Sequence, residues 1–228
     1  MKRIKKEGSI RKKEIMDRAL SLFSEKGYET TSVQDIIDAV GVSKGAFSHH
    51  FRSQDELLNA IIQSYIHEAG HIAEDIAGRA VGSAIGKYRE LFLALQQRRT
   101  EYRKKFLFLT RMMLSEENVL FAHRYSEKAL AISLGPYTRI LREGKENGEF
   151  RIGDPGMTAE LLIRIGMTYR TKIGYRQLEI DGDPEAIHEI RRLVAFLQET
   201  FERILGVEPG TLSFIGQIFN ASPQNQQQ

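Results

Sequence analysis

The stretch TSVQDIIDAVGVSKGAFSHHFRSQDEL, residues 31–57, decides how the chain is read. Val33, Ile36, Ile37 and Val40 recur at helical spacing over a short segment. Ser32 stands before them with Asp35 three residues on, an arrangement that satisfies the free amides of a first turn. Gly41 ends that helix and Ser43 caps the next, whose inner positions are Phe47 and Phe51, four residues apart. Two short helices joined by a tight turn can hold the second helix clear of the body and present it to a DNA major groove. The face opposite the two phenylalanines carries Lys44, Gly45, Ser48 and His49. Glycine lets the backbone approach closely, lysine pairs with phosphate or guanine, and serine and histidine donate to base edges or phosphates. Ser32 and Ser43 place helix N-termini, which favour anions, near the same surface, and His50 and Arg52 are placed to hold the phosphate backbone.

Outward from this stretch the pattern stays helical, and the expected class is all-α. From Arg11 to Lys26, Ile15, Ala19, Leu22 and Phe23 share one face, with Gly27 as a stop. Ser53-Gln54-Asp55-Glu56 is a capping box opening a long helix over 54–77, striped by Leu57, Leu58, Ile61, Ile62, Tyr65 and Ile66. Further helices are expected near 84–98, 101–115 and 117–147, the last bent at Gly135-Pro136 and ended by Asn147-Gly148. Gly153-Asp154-Pro155-Gly156 reads as a loop, followed by a helix with Leu161, Leu162, Ile165, Tyr169 and Ile173 on one face. Asp181-Gly182-Asp183-Pro184 breaks the pattern again before a last long helix through Leu205. The division expected is a basic arm at 1–9, a helix-turn-helix domain at 10–56, a larger domain at 57–220 reached through the 54–77 helix, and a disordered tail at 221–228.

Composition narrows the function. The 228 residues contain no Cys, which excludes a disulfide scaffold, thiolate zinc sites and a cysteine nucleophile. No run is apolar enough to cross a membrane, and the basic start lacks the apolar segment of a secretory signal, so a cytoplasmic location is expected. The net charge of +3 is unevenly placed: residues 1–52 hold 11 basic and 7 acidic side chains, leaving the remaining 176 residues near neutral. A basic end beside a near-neutral body points to a polyanion partner, because cations gain by releasing counterions from phosphates.

Residues 10–62 resemble the DNA-binding domain of TetR-family transcriptional regulators. The resemblance rests on Ala19-Leu20-Ser21-Leu22-Phe23 with Gly27-Tyr28, and on Thr31-Ser32-Val33 through Ile36. It continues through Gly41-Val42-Ser43-Lys44-Gly45-Ala46-Phe47, His50-Phe51-Arg52-Ser53 and Glu56-Leu57. It implies a homodimer whose N-terminal three helices bind a palindromic double-stranded DNA operator. It also implies a divergent C-terminal domain that binds a small-molecule effector and releases the DNA, the usual action being repression. Ser48 stands where the family usually has Tyr, and Gln54 where it often has Lys, both common phosphate contacts. The basic stretch Lys2–Lys13 is expected to compensate by reaching along a groove or backbone. The last two long helices carry apolar stripes too extended for one small core, and the resemblance implies that they pair with their copies in the dimer.

Two other constellations bear on function. Phe92, Leu95, Met112, Phe121, Tyr125 and Tyr137 form the candidate wall of an effector pocket, suited to an apolar or aromatic ligand, with Arg111 either reaching water or meeting a carboxylate. The alternative for the same residues is plain core. His67-Glu68-Ala69-Gly70-His71 matches the H-E-x-x-H zinc-hydrolase pattern and supplies the competing class, a metal-dependent hydrolase with Glu68 as general base and Glu90 as a conceivable third ligand. Metzincin spacing would need Gly at 74 and His at 77, where this chain has Glu74 and Ala77. Gly82-Ser83-Ala84-Ile85-Gly86-Lys87 is one residue short between its glycines for a phosphate loop and lacks Ser or Thr after the lysine. No cofactor, no catalytic residue and no resident metal are expected.

Overall fold

The structure, a computed structural model, describes residues 2–101, 103–114, 119–179, 183 and 185–220. Among them are ten helices and no strand: α1 (Lys2–Lys26), α2 (Val33–Val40), α3 (Lys44–His50), α4 (Gln54–Ala77), α5 (Ala84–Glu101), α6 (Arg103–Leu114), α7 (Val119–Glu146), α8 (Pro155–Glu179), α9 (Glu185–Leu205) and α10 (Phe214–Asn220). The tail at 221–228 and most of the 181–184 break lie outside the described residues.

Two compact units emerge: residues up to Ile66 with Lys104–Leu109, and His67–Arg103 with the residues from Thr110 onward. The first is built as the apolar spacing requires. Ile15, Ala19 and Phe23 of α1, Ile36 and Ile37 of α2, Phe47 of α3 and Leu57, Ile61 and Ile62 of α4 are all buried, joined by Phe108 of α6. The Phe23 and Phe108 rings stack with centroids 5.9 Å apart. Each such side chain contributes about 1.5–3 kcal/mol on leaving water. The turns around α2 and α3 follow the expected capping chemistry, and Gly41 takes φ 72°, a left-handed conformation that favours glycine.

Two elements differ from the sequence reading. Helix α1 starts at Lys2 instead of Arg11, so the basic stretch is its first turns. Lysine, arginine and glutamate are good helix formers, Glu7 and Arg11 fall at the favourable i, i+4 spacing, and Gly8 costs too little to stop a helix that the core anchors further on. Helix α10 has no counterpart in the sequence reading; it is short, and its anchors Phe214 and Ile215 are buried against α5 and α9. Helix α7 runs on through Pro136.

In the second unit α7 packs on α8, α8 on α9, α9 on α10 and α5 on α7. Ile140, Leu141, Leu162, Leu205 and Leu212 form its most enclosed apolar layer. Gly144 is required where it stands, since a Cβ there would lie 2.1 Å from the Phe150 ring. The buried charges are paired. Lys87, 4% exposed, bonds both carboxylate oxygens of Glu143 at 2.9 and 2.7 Å. Glu202 accepts from the backbone amides of Gly210 and Leu212 at 3.0 and 2.9 Å, closing the turn before α10. Glu149 accepts from the amides of Ala84 and Ile85 at 2.9 and 3.0 Å, so a carboxylate of the chain itself caps α5 where the discarded phosphate-loop pattern lies.

Candidate nucleic-acid interface

Helix α3 has two faces, and the division follows its sequence. Phe47 and, just beyond the last turn, Phe51 are 2% and 1% exposed. Lys44, Gly45, Ser48 and His49 are exposed on the other side, His50 is half-buried and Arg52 is exposed. The Ser43 hydroxyl accepts from the Ala46 amide at 3.1 Å, so the first turn of α3 is fixed by its cap. Ser32 caps α2 in a full box: its hydroxyl accepts from the Asp35 amide at 3.1 Å, and its own amide donates to Asp35 Oδ2 at 2.8 Å. The bonds from Ser32, helped by Lys26, bring the Asp35 carboxyl down to about 2. The Ser32 and Ser43 side chains are thus engaged as caps. Gly45 has room around it, because a Cβ would meet only the Ser43 hydroxyl, at 4.0 Å.

The third turn of α1 lies beside the end of α3. Lys12 Nζ sits 5.4 Å from the Phe51 ring centroid. The His49 and His50 rings are 5.2 Å apart, edge to face. Burial lowers the His50 pKa, and the cations of His49, Lys12 and Arg11 lower it further. Lys12, His49, His50, Lys44 and Arg52 are therefore cationic or protonatable groups of one unit, with Arg11 on the same helix as Lys12 and paired to Glu14 at 2.8 Å.

Sequence reasoning missed what holds the base of this unit. Gln54 donates to the Tyr28 carbonyl at 2.8 Å, and the Tyr28 hydroxyl bonds Asp55. Burial, followed by that bond, raises the Tyr28 pKa. The residue in the place of a frequent phosphate-touching lysine here ties the turn after α1 to the start of α4. Tyr28 and the Gln54–Asp55 pair are visible in the sequence only as separate polar residues, because the bond spans 26 positions.

The other candidate residues are scattered more widely. Phe92, Leu95 and Tyr137 pack against the core of the second unit. The Phe92 ring lies 5.6 Å from Phe214, and the Tyr137 ring 6.1 Å from Tyr88. Met112 and Tyr125 are half-buried and Arg111 is exposed, while the Phe121 side chain lies outside the described residues. His67, Glu68 and His71 are all exposed on α4. Glu68 is engaged by Arg98 and Glu90 by Arg79, so the residues that the hydrolase pattern would use as base and third ligand hold arginines. Among the described residues no group of three His, Asp or Glu side chains gathers as a metal site would need.

Residues 15–61 match the family model described as bacterial regulatory proteins, tetR family. The HTH-type transcriptional repressor KstR2 of Rhodococcus jostii is 34% identical over 83 residues, 36% of this chain and 33% of that protein. This chain therefore spans a third of that relative in the match. Among solved structures, the TetR-family regulator PfmR of Thermus thermophilus is 29% identical with a TM-score of 0.51, over 69% of this chain and 84% of that one. SmeT, the repressor of the Stenotrophomonas maltophilia multidrug efflux pump SmeDEF, shares the fold at 20% identity and a TM-score of 0.64, over 88% of this chain and 92% of its own. A helix-turn-helix of the matched type thus lies at residues 15–61, on a chain whose overall fold recurs in these regulators.

Proposed function

We propose that this protein is a dimeric transcriptional repressor that reads a palindromic operator with α3 and is released from it by a small, largely apolar or aromatic effector. The observation that carries the DNA part is the two-faced α3: Phe47 and Phe51 are buried, and Lys44, Gly45, Ser48 and His49 are exposed together. Ser32 and Ser43 support it by fixing two helix N-termini, and His50 and Arg52 by extending the cationic surface toward phosphates. The similarity to a named repressor supports repression.

Dimerisation rests on α8 and α9. Among the described residues, Met157, Leu161 and Tyr175 of α8 and Phe196 of α9 are the exposed large apolar or aromatic side chains of those two helices, with Phe196 56% exposed. Phe196 stacks on Tyr169, centroids 6.0 Å apart, which makes a flat aromatic surface across both helices. A second copy covers such a face in a four-helix arrangement and sets the two reading helices about one DNA turn, 34–36 Å, or a multiple of it apart. Effector binding rests on Phe92, Leu95 and Tyr137 gathering in the second unit.

The test starts from a random-sequence duplex pool, from which the full chain should select a two-fold symmetric site. Lys44→Ala should then weaken binding to that site by about 1–3 kcal/mol, as loss of a specific contact does. Unchanged affinity, or failure to enrich any sequence, sinks the reading of α3.

A further inference from the structure

The first turns of α1 carry a charge pattern that core packing does not explain. The helix begins at Lys2, yet among its described side chains burial begins at Ile15. Lys2, Lys5, Lys6, Lys12 and Lys13 follow one another at helical spacing, with Ser9 between them, so five lysines share one face. Glu7 and Glu14, seven residues apart, occupy the other side together with Arg3 and Arg11. Arg11 and Glu14 pair there at 2.8 Å. Both acids of residues 2–14 thus lie with the arginines. Lys12 and Lys13 are exposed and pair with no carboxylate among the described residues.

The start of a helix carries partial positive charge, which favours acids and disfavours cations. The first turn of α1 nevertheless has no acid, and Lys2, Arg3, Lys5 and Lys6 crowd that end. Like charges gathered at the wrong end of the dipole repel one another until an external anion neutralises them. Lys12 shows where the lysine face lies within the unit. Its Nζ is 5.4 Å from the ring centroid of Phe51, the residue that follows α3. The face therefore opens beside the end of α3, where His49 and Arg52 are exposed. Ile4 and Ile10 fall outside it, so it offers a membrane no apolar stripe to bury.

We infer that the start of α1 is a second, sequence-independent DNA contact, a lysine-faced helix that follows the phosphate backbone flanking each half-site. At 1.5 Å per residue Lys2 stands about 15 Å beyond Lys12, a reach of about four base pairs at 3.4 Å each. Lysines suit this task, because they meet phosphates as point charges and read no bases. The inference rests on α3 being the reading helix and adds a hold on the duplex outside the bases that α3 reads. A flexible arm of the same composition would bind through charge alone. A helix lines its lysines up, so its contribution depends on helicity as well as on charge.

Binding of the full chain is measured on the duplex selected from the random pool, either cut flush at the site or extended at each end by about six base pairs of unrelated sequence. The extensions should tighten binding by about tenfold at low salt, whatever their sequence, and the gain should vanish at high salt. Lys5→Gln with Lys6→Gln should lose most of the gain. Arg3→Gln with Arg11→Gln removes the same charge from the other face and should keep it, glutamine preserving the helix in both variants. Gly8→Ala, whose Cβ meets nothing within 4 Å, should also keep the gain. Gly8→Pro leaves every lysine in place but breaks the helix, and should lose it. No gain from the extensions, equal loss in the two double variants, or a gain that survives Gly8→Pro overturns the inference; binding to the flush duplex then leaves the reading of α3 standing. Lysine-dependent binding to phosphatidylserine vesicles without a gain on extended DNA would assign the face to a membrane and overturns it too. If the pool yields no site, the reading of α3 falls and this inference falls with it.

Discussion

At the scale of a residue, Gly45 separates folding from recognition. Nothing in the protein needs its missing side chain, since a Cβ would meet only the Ser43 hydroxyl at 4.0 Å. Alanine is a better helix former than glycine by about 0.8–1.0 kcal/mol in a helix interior. Gly45→Ala should therefore leave stability equal or raise it by up to about 1 kcal/mol in denaturant unfolding, while weakening binding to the selected operator. A gain in stability with undiminished affinity would mean that no DNA backbone or base edge approaches this position. The outward face of α3 is legible in the sequence because Phe47 and Phe51, four apart, fix which side of a helix is inside. Gln54 is not legible, because it finds its acceptor 26 residues away.

At the scale of the element, α1 and α3 together set a pH response. His50 is held below its ordinary pKa by burial first, and then by His49, Lys12 and Arg11, so it is neutral at pH 7 in the free protein. A phosphate beside His50 favours its charged form, so DNA binding takes up protons and affinity should rise as pH falls from about 8 to about 6. Stability runs the other way. A histidine whose folded pKa is depressed binds its proton more readily when unfolded, so the free protein loses stability as pH falls below about 6.5. Fluorescence anisotropy on a labelled operator and urea unfolding, each against pH, check the opposite slopes; a His50→Gln variant should flatten both. The helical signal for α4 is complete in its Ser53–Glu56 box and apolar stripe. The first turns of α1 read as an arm because their lysines carry no apolar period, whereas propensity and continuity with an anchored helix decide their state.

At the scale of the whole molecule, α4 belongs to both units: Leu57, Ile61 and Ile62 are buried in the first, and Ala73, Ile76 and Ala77 join the core of the second. Within the second unit α4 meets α7 closely at Gly70, where a Cβ would stand 2.3 Å from Ile132 Cγ2. That methyl belongs to a stiff β-branched side chain, so Gly70→Ala has to move one helix against the other. It should change operator affinity, or the effector concentration that releases DNA, by about tenfold without altering any residue of the α3 face, a coupling of the usual 1–3 kcal/mol. Affinity and release unchanged from the parent would show that α4 does not carry the coupling. The uneven charge of the chain, basic in its first 52 residues, follows the same division between the unit that carries the proposed reading helix and the one that does not.

The boundary inside α6 has a practical consequence for anyone grafting reading heads between regulators. The first unit is not a contiguous piece of chain, since Lys104–Leu109 belongs to it and Phe108 stacks on Phe23. A chimera spliced once, after Ile66, would bring a new head onto a foreign Phe108 and leave the old Phe23 without its ring. Transplants of this module need three crossovers: after Ile66, between Arg103 and Lys104, and between Leu109 and Thr110.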